Sequence, residues 1–171
     1  MSQDLSDSQL KDLWRQGKIP VIFKRNKPLP VLARIPFAEG NMEWLRDGRR
    51  SKPDWCAQFK AWEIPTAWFD SVIKLALRRH QEVYVIQLYR EHQKCAPACW
   101  NAEGFHCECS CMGENHGGGH PGGNWYEVSE TFAVSWGQQR YSCRHLKVKS
   151  LAACRTYPPG RIRHYPWSLS A

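Results

Sequence analysis

Five of the eight cysteines, Cys95, Cys99, Cys107, Cys109 and Cys111, fall within seventeen residues, and His116 follows them. The segment that carries them, CAPACWNAEGFHCECSCMGENHGGGH, is polar and glycine-rich. Buried side chains cannot hold such a stretch in one conformation. A metal can, because four ligands on one ion take the place of a hydrophobic core. The spacing is C-x3-C, seven residues, C-x-C-x-C, four residues, then His. Gly104, Gly113 and Gly117 permit the turns this requires, and Pro97 stiffens the first loop. Six candidate ligands exceed the four positions of one tetrahedral Zn2+ site. Either one zinc takes four of them, or two zincs share bridging thiolates, with Cys143 as a further candidate. His106 and His120 read as surface residues, and Cys56 and Cys154 as ordinary buried thiols.

An iron–sulfur cluster is the competing reading, but C-x-C-x-C does not match the usual ferredoxin spacings. Disulfides compete only in an oxidising compartment. The N-terminus, MSQDLSDSQLKDLW, is too polar for a signal peptide, and no apolar run approaches the length of a membrane span. The expectation is a cytoplasmic protein with no membrane association. All-thiolate zinc is a poor Lewis acid, so the metal reads as structural. A catalytic reading, a metal-dependent nuclease or other hydrolase, would need Glu108 or Glu114 as general base. GENHGGGHPGGNW lacks the lysine and the strand–loop–helix setting of a phosphate loop.

Charge divides the chain. Residues 1–94 carry 17 Lys and Arg against 11 Asp and Glu; residues 95–139 carry five Glu and no Lys or Arg; residues 140–171 carry seven Lys and Arg and no acid. Phosphates would therefore meet the flanks and not the cysteine segment. The alternative is a basic surface that only keeps the protein soluble.

In chain order, residues 5–16 read as an amphipathic helix capped by Ser6, with Leu10, Leu13 and Trp14 on one face. Residues 20–24 and 31–35 read as strands joined across Asn26-Lys27-Pro28. Asn41 reads as the cap of a short helix carrying Trp44 and Leu45. Trp55 and Trp62 bracket an expected strand. Arg46, Arg49, Arg50 and Lys52 interleave with these aromatics, a pattern suited to phosphates and bases; the same tryptophans also suit a core with arginines at its rim. Pro65 to Arg79 reads as a helix burying Trp68, Phe69, Val72, Ile73 and Ala76. Val83 to Tyr89 reads as a central strand. Trp125–Glu130 and Phe132–Trp136 read as two strands with a bend between them, and Tyr141–Val148 as a third, with Cys143 and His145 on one face and Arg144 on the other. The tail, RTYPPGRIRHYPWSLSA, reads as extended.

The run C-x-P-x-C-x-N-A-x-G-x-x-C-x-C-S-C-x-G-x-x-H-G, from Cys95 to Gly117, resembles that of a family of small, uncharacterised prokaryotic and phage or plasmid proteins. The resemblance implies a zinc-type site and a bacterial or mobile-element origin. Upstream, Ile35, Pro36, Phe37, Trp55, Lys60, Trp62, Ile64 and Pro65 resemble the small αβ modules of the HARP and primase-associated kind. That likeness implies contact with single-strand or junction DNA.

These readings give an α+β fold, a small mixed sheet with flanking helices and a Cys-rich zinc-binding lobe that protrudes from it. Residues 1–94 form the αβ module, 95–124 the metal lobe, 125–150 the completing strands and 151–171 the tail. The expected role is non-catalytic nucleic-acid binding through Arg46, Arg49, Arg50, Lys52, Arg144 and Lys147. The alternative is a phage or mobile-element protein that binds a protein partner and inhibits a host defence enzyme.

Overall fold

The computed structural model describes residues 7–90, 97, 104–107, 125–136 and 138–149. The elements run α1 (Asp7–Arg15), β1 (Val21–Lys24), β2 (Val31–Arg34), α2 (Asn41–Arg46), β3 (Asp54–Cys56), β4 (Ala61–Ile64), a 3-10 turn at Thr66–Trp68, α3 (Phe69–His80), β5 (Glu82–Leu88), β6 (Tyr126–Trp136) and β7 (Gln139–Val148). The strands form one sheet in the order β3-β4-β2-β1-β5-β7-β6. Its neighbours are antiparallel except β1 and β5, which are parallel. The architecture is thus α+β with a mixed sheet.

Alternation along the strands builds two cores. On one face Ile22, Val31, Ala33, Ile64, Val83, Val85 and Leu146 meet Phe69, Val72, Ile73, Ala76 and Leu77 of α3. On the other, Val21, Phe23, Leu32, Ala61, Ile86, Val134 and Tyr141 meet Leu10 and Leu13 of α1. Strands covered on both sides must be apolar at successive positions, which is why Val21, Ile22 and Phe23 are all buried.

Three local expectations are corrected. Gly40, at φ 78°, holds the cap position of α2, and Asn41 is the first helical residue. The buried amide of Asn41 instead donates to Pro36 O at 3.0 Å and accepts from Arg79 at 3.2 Å. The expected strand between Trp55 and Trp62 is a hairpin, β3 and β4, whose turn places Lys60 at φ 51°. The bend at residues 129–131 is an irregularity between Val128 and Glu130 within one strand, β6. A bulge bends a strand without ending its ladder. Ser6 and the tail lie outside the described residues.

Candidate functional site

Of the six predicted metal ligands, Cys107 lies among the described residues; Cys95, Cys99, Cys109, Cys111 and His116 lie outside them. Among the described residues no group of three or more His, Cys, Asp and Glu is placed to hold a metal. The part of the cysteine segment that is described does not protrude. Phe105 is 1% exposed and Cys107 4%. The Phe105 amide donates to Asp70 Oδ1, in the first turn of α3, at 2.7 Å. Its carbonyl accepts from Gln87 Nε2 of β5 at 3.2 Å. The ring packs 5.1 Å from that of Tyr126. Lys24 Nζ lies 2.9 Å from His106 Nδ1 and 4.8 Å above the Phe69 ring. Gly104 is required by closeness: a Cβ there would sit 2.8 Å from Asp70 Oδ2. Gln87 had no role in the sequence reading. Its signal was a lone amide inside the apolar run VYVIQLY.

Cys143 lies apart from the described part of this segment. It is buried in the α1-face core, whereas Phe105 lies in the α3-face core across the sheet. Burial first, and Glu130 second, push its thiol up. Cys56 is half-buried on the edge strand.

The basic loop between α2 and β3 divides into two pairs. Arg46 donates through Nε to Arg49 O and through Nη2 to Arg50 O, and pairs with Glu43 at 3.6 Å. Arg49 donates to Ser71 Oγ at 2.6 Å, lies 4.6 Å over the Trp68 ring and pairs with Asp47 at 3.9 Å. Arg46 therefore braces the loop on itself and on α2, and Arg49 holds it to α3. Arg50 and Lys52 are exposed, and their side chains make no ion pair or hydrogen bond among the described residues. Three residues beyond Lys52, past the exposed Asp54, comes Trp55, 55% exposed on the sheet's edge strand, its ring 5.1 Å from Trp62 at 70°. Trp44, by contrast, is core.

One of the two predicted phosphate-binding positions on β7, Arg144, is corrected as well. Arg144 is 2% exposed on the α3 face, so it offers no surface charge. Lys147 stands between Glu82 and Glu127 on the neighbouring strands, where an incoming phosphate would meet two carboxylates.

Beyond α1 on the opposite face, His145 Nε2 lies 3.1 Å from Glu82 and its Nδ1 4.0 Å from Glu130, with the ring stacked 4.4 Å from Tyr84. Carboxylates at opposite nitrogens staple β5, β7 and β6 together and form no chelate. Burial, with Glu130 among the neighbouring charges, raises the Tyr84 phenol.

His80, at the end of α3, is pushed down to about 4 by burial and by Arg79. Its folded value lies below the ordinary 6.5, so the unfolded chain takes the proton first as pH falls. Its contribution is complete above about pH 6.5 and is lost as pH falls toward 4. Relative to His80→Gln, the natural protein should lose on the order of 1 kcal/mol between neutral pH and about 4.5, solvent screening at this partly exposed ring keeping the loss small. Urea denaturation at the two pH values measures it, and equal losses in both proteins would refute it.

No helix among the described residues is long and apolar enough to cross a membrane. Comparison of the chain with protein-family models, with curated proteins and with solved structures found no match.

Proposed function

We propose that this is a zinc-stabilised, non-catalytic nucleic-acid-binding protein whose contact surface is the α2–β3 loop and the edge strand beside it. The observation that carries the reading is Trp55, half-exposed on β3 against Trp62, three residues beyond Lys52 and five beyond Arg50, the two uncommitted cations. Cations hold the phosphodiester backbone, and an exposed indole offers a face to a base. Zinc, held by a set drawn from Cys95, Cys99, Cys107, Cys109, Cys111 and His116, would cross-link the cysteine segment. The burial of Cys107 beside the anchored Phe105 fits a ligand held in a packed site.

The test is fluorescence anisotropy with labelled single- and double-stranded oligonucleotides at two salt concentrations. Binding should weaken steeply with salt. The double variant Arg50→Gln/Lys52→Gln should bind about tenfold more weakly at low salt and reduce the salt slope by about two, one for each phosphate no longer neutralised. Trp55→Ala should cost about 1–3 kcal/mol of binding if one base stacks there. Arg49→Gln should instead lower the melting temperature, because its guanidinium holds Ser71 and Trp68. Absence of any salt-dependent binding to DNA or RNA would overturn the reading.

A further inference from the structure

We infer that the outer edge of β6 is a dimerisation surface, along which two copies of this chain pair antiparallel through residues 131–136, about a two-fold axis at Ala133. The inference is independent of the zinc and nucleic-acid readings.

β6 closes one end of the sheet, and among the described residues only β7 pairs with it. In an antiparallel ladder the N–H and C=O of successive residues point alternately to one neighbouring strand and to the other. Arg140 of β7 accepts from the amide of Tyr89, just past β5, and Val148 of β7 donates to Gln81 on the same side. The even-numbered residues of β7 therefore turn their backbone groups toward β5 and away from β6. Ser135, the partner of Arg140 on β6, turns its own groups outward. The ladder runs without a shift from Glu130 to Trp136, so Ala133 and Thr131 face outward too. Each offers one N–H and one C=O, and none of these is hydrogen-bonded among the described residues.

Such an edge is a template for another strand unless something blunts it. β3, at the far end of the sheet, is blunted by its length of three residues. The first half of β6 is interrupted between Val128 and Glu130 and carries Glu127 and Glu130. Residues 131–136, TFAVSW, contain no charge and no proline.

The strand that fits is its own copy. With the axis at Ala133, Thr131 of each chain lies opposite Ser135 of the other, and Ala133 opposite its counterpart. This register joins every outward group in about six backbone hydrogen bonds, two for each residue pair. A shift of two residues leaves one outward residue of each chain opposite the irregularity or past Trp136. Phe132 then meets Val134 of the second copy on the α1 face, and the hydroxyls of Thr131 and Ser135 meet on the other. Glu130 meets Trp136, and the two Glu130 side chains stand about 20 Å apart, beyond the screening length of about 8 Å. A charged peptide would find no counter-charge along this stretch. The two β3 edges lie at the outer ends of the joined sheet, so the pairing leaves Trp55 open.

The experiment is analytical ultracentrifugation of the full chain, under reducing conditions that exclude disulfide-linked dimers, from roughly 5 to 500 µM, as suits a small interface. The apparent mass should rise with concentration from that of one chain toward that of two. Ala133→Lys and Ala133→Glu each set like charges opposite one another at the axis, and each should weaken association at least about tenfold. Mixed in equal amounts they set opposite charges there and should return to within about threefold of the natural affinity. On the natural protein, the amides of Thr131, Ala133 and Ser135 should exchange hydrogen at least about tenfold more slowly at high concentration than at low, while those of Phe132 and Val134 stay protected throughout. A natural protein that stays monomeric would overturn the inference. So would a dimer that both charged variants leave intact, or variants that stay apart when mixed. Should the variants not fold, as circular dichroism reports, hydrogen exchange decides: slowing with concentration at the three outward amides supports the inference, and no slowing there overturns it.

Discussion

Phe105→Ala is expected to lower the free energy of unfolding by about 3 kcal/mol, near the bottom of the range for large aromatic deletions in cores. The ring is buried to 1% exposure among α3-face residues and packs on Tyr126. Its backbone is fixed at both ends of one peptide step by Asp70 and Gln87, so it cannot slide to fill the void. Phe105→Leu should cost less than about half as much, because most of the volume remains. Urea denaturation followed by tryptophan emission measures both. A loss below about 1 kcal/mol for the alanine variant would mean that residues 104–107 are not seated as described.

The second large effect is expected from metal removal. Chelation, or Cys109→Ser, should release the cysteine segment from the body and leave the sheet folded. The two sheet cores, one under α1 and one under α3, are built mainly from residues outside that segment. The loss should therefore approach what the Phe105 anchor contributes, about 3 kcal/mol, which corresponds to a fall of about 6–12 °C in melting temperature for a chain of this size. Both changes act through the same seat, so chelation of Phe105→Ala should cost much less than the sum of the separate effects. Strand signal in circular dichroism should persist throughout. Collapse of the whole fold on chelation would show that the metal, and not the sheet, organises the protein; no change at all would remove the metal from the account.

The parts of the fold legible in the sequence share one physical property, that their signal is local. Short apolar runs at Val21–Lys24, Val31–Arg34 and Glu82–Leu88, and the apolar face of Phe69–His80, follow from neighbouring residues alone. The β3–β4 hairpin was missed because its turn, Ala57-Gln58-Phe59-Lys60, contains no Gly, Pro, Asn or Asp and relies on Lys60 in the left-handed region. The break within β6 looked like a strand end because a bulge and a bend carry the same polar residues.

By itself the sequence determined the class of fold, the positions of its main helices and strands, and the concentration of cysteines in one cation-free segment. Tertiary structure decided which charges are available. Arg49 and Arg50 are adjacent and chemically identical, yet one is held by Ser71 and Trp68 and the other is exposed. Arg144 reads as a surface cation on an alternating strand and is buried. Gly104 reads as a turn residue and is instead required by Asp70, 34 positions earlier in the chain. Each of these outcomes depends on a neighbour brought close only by folding. Periodicity records which face of an element is buried and cannot record what waits on the other side.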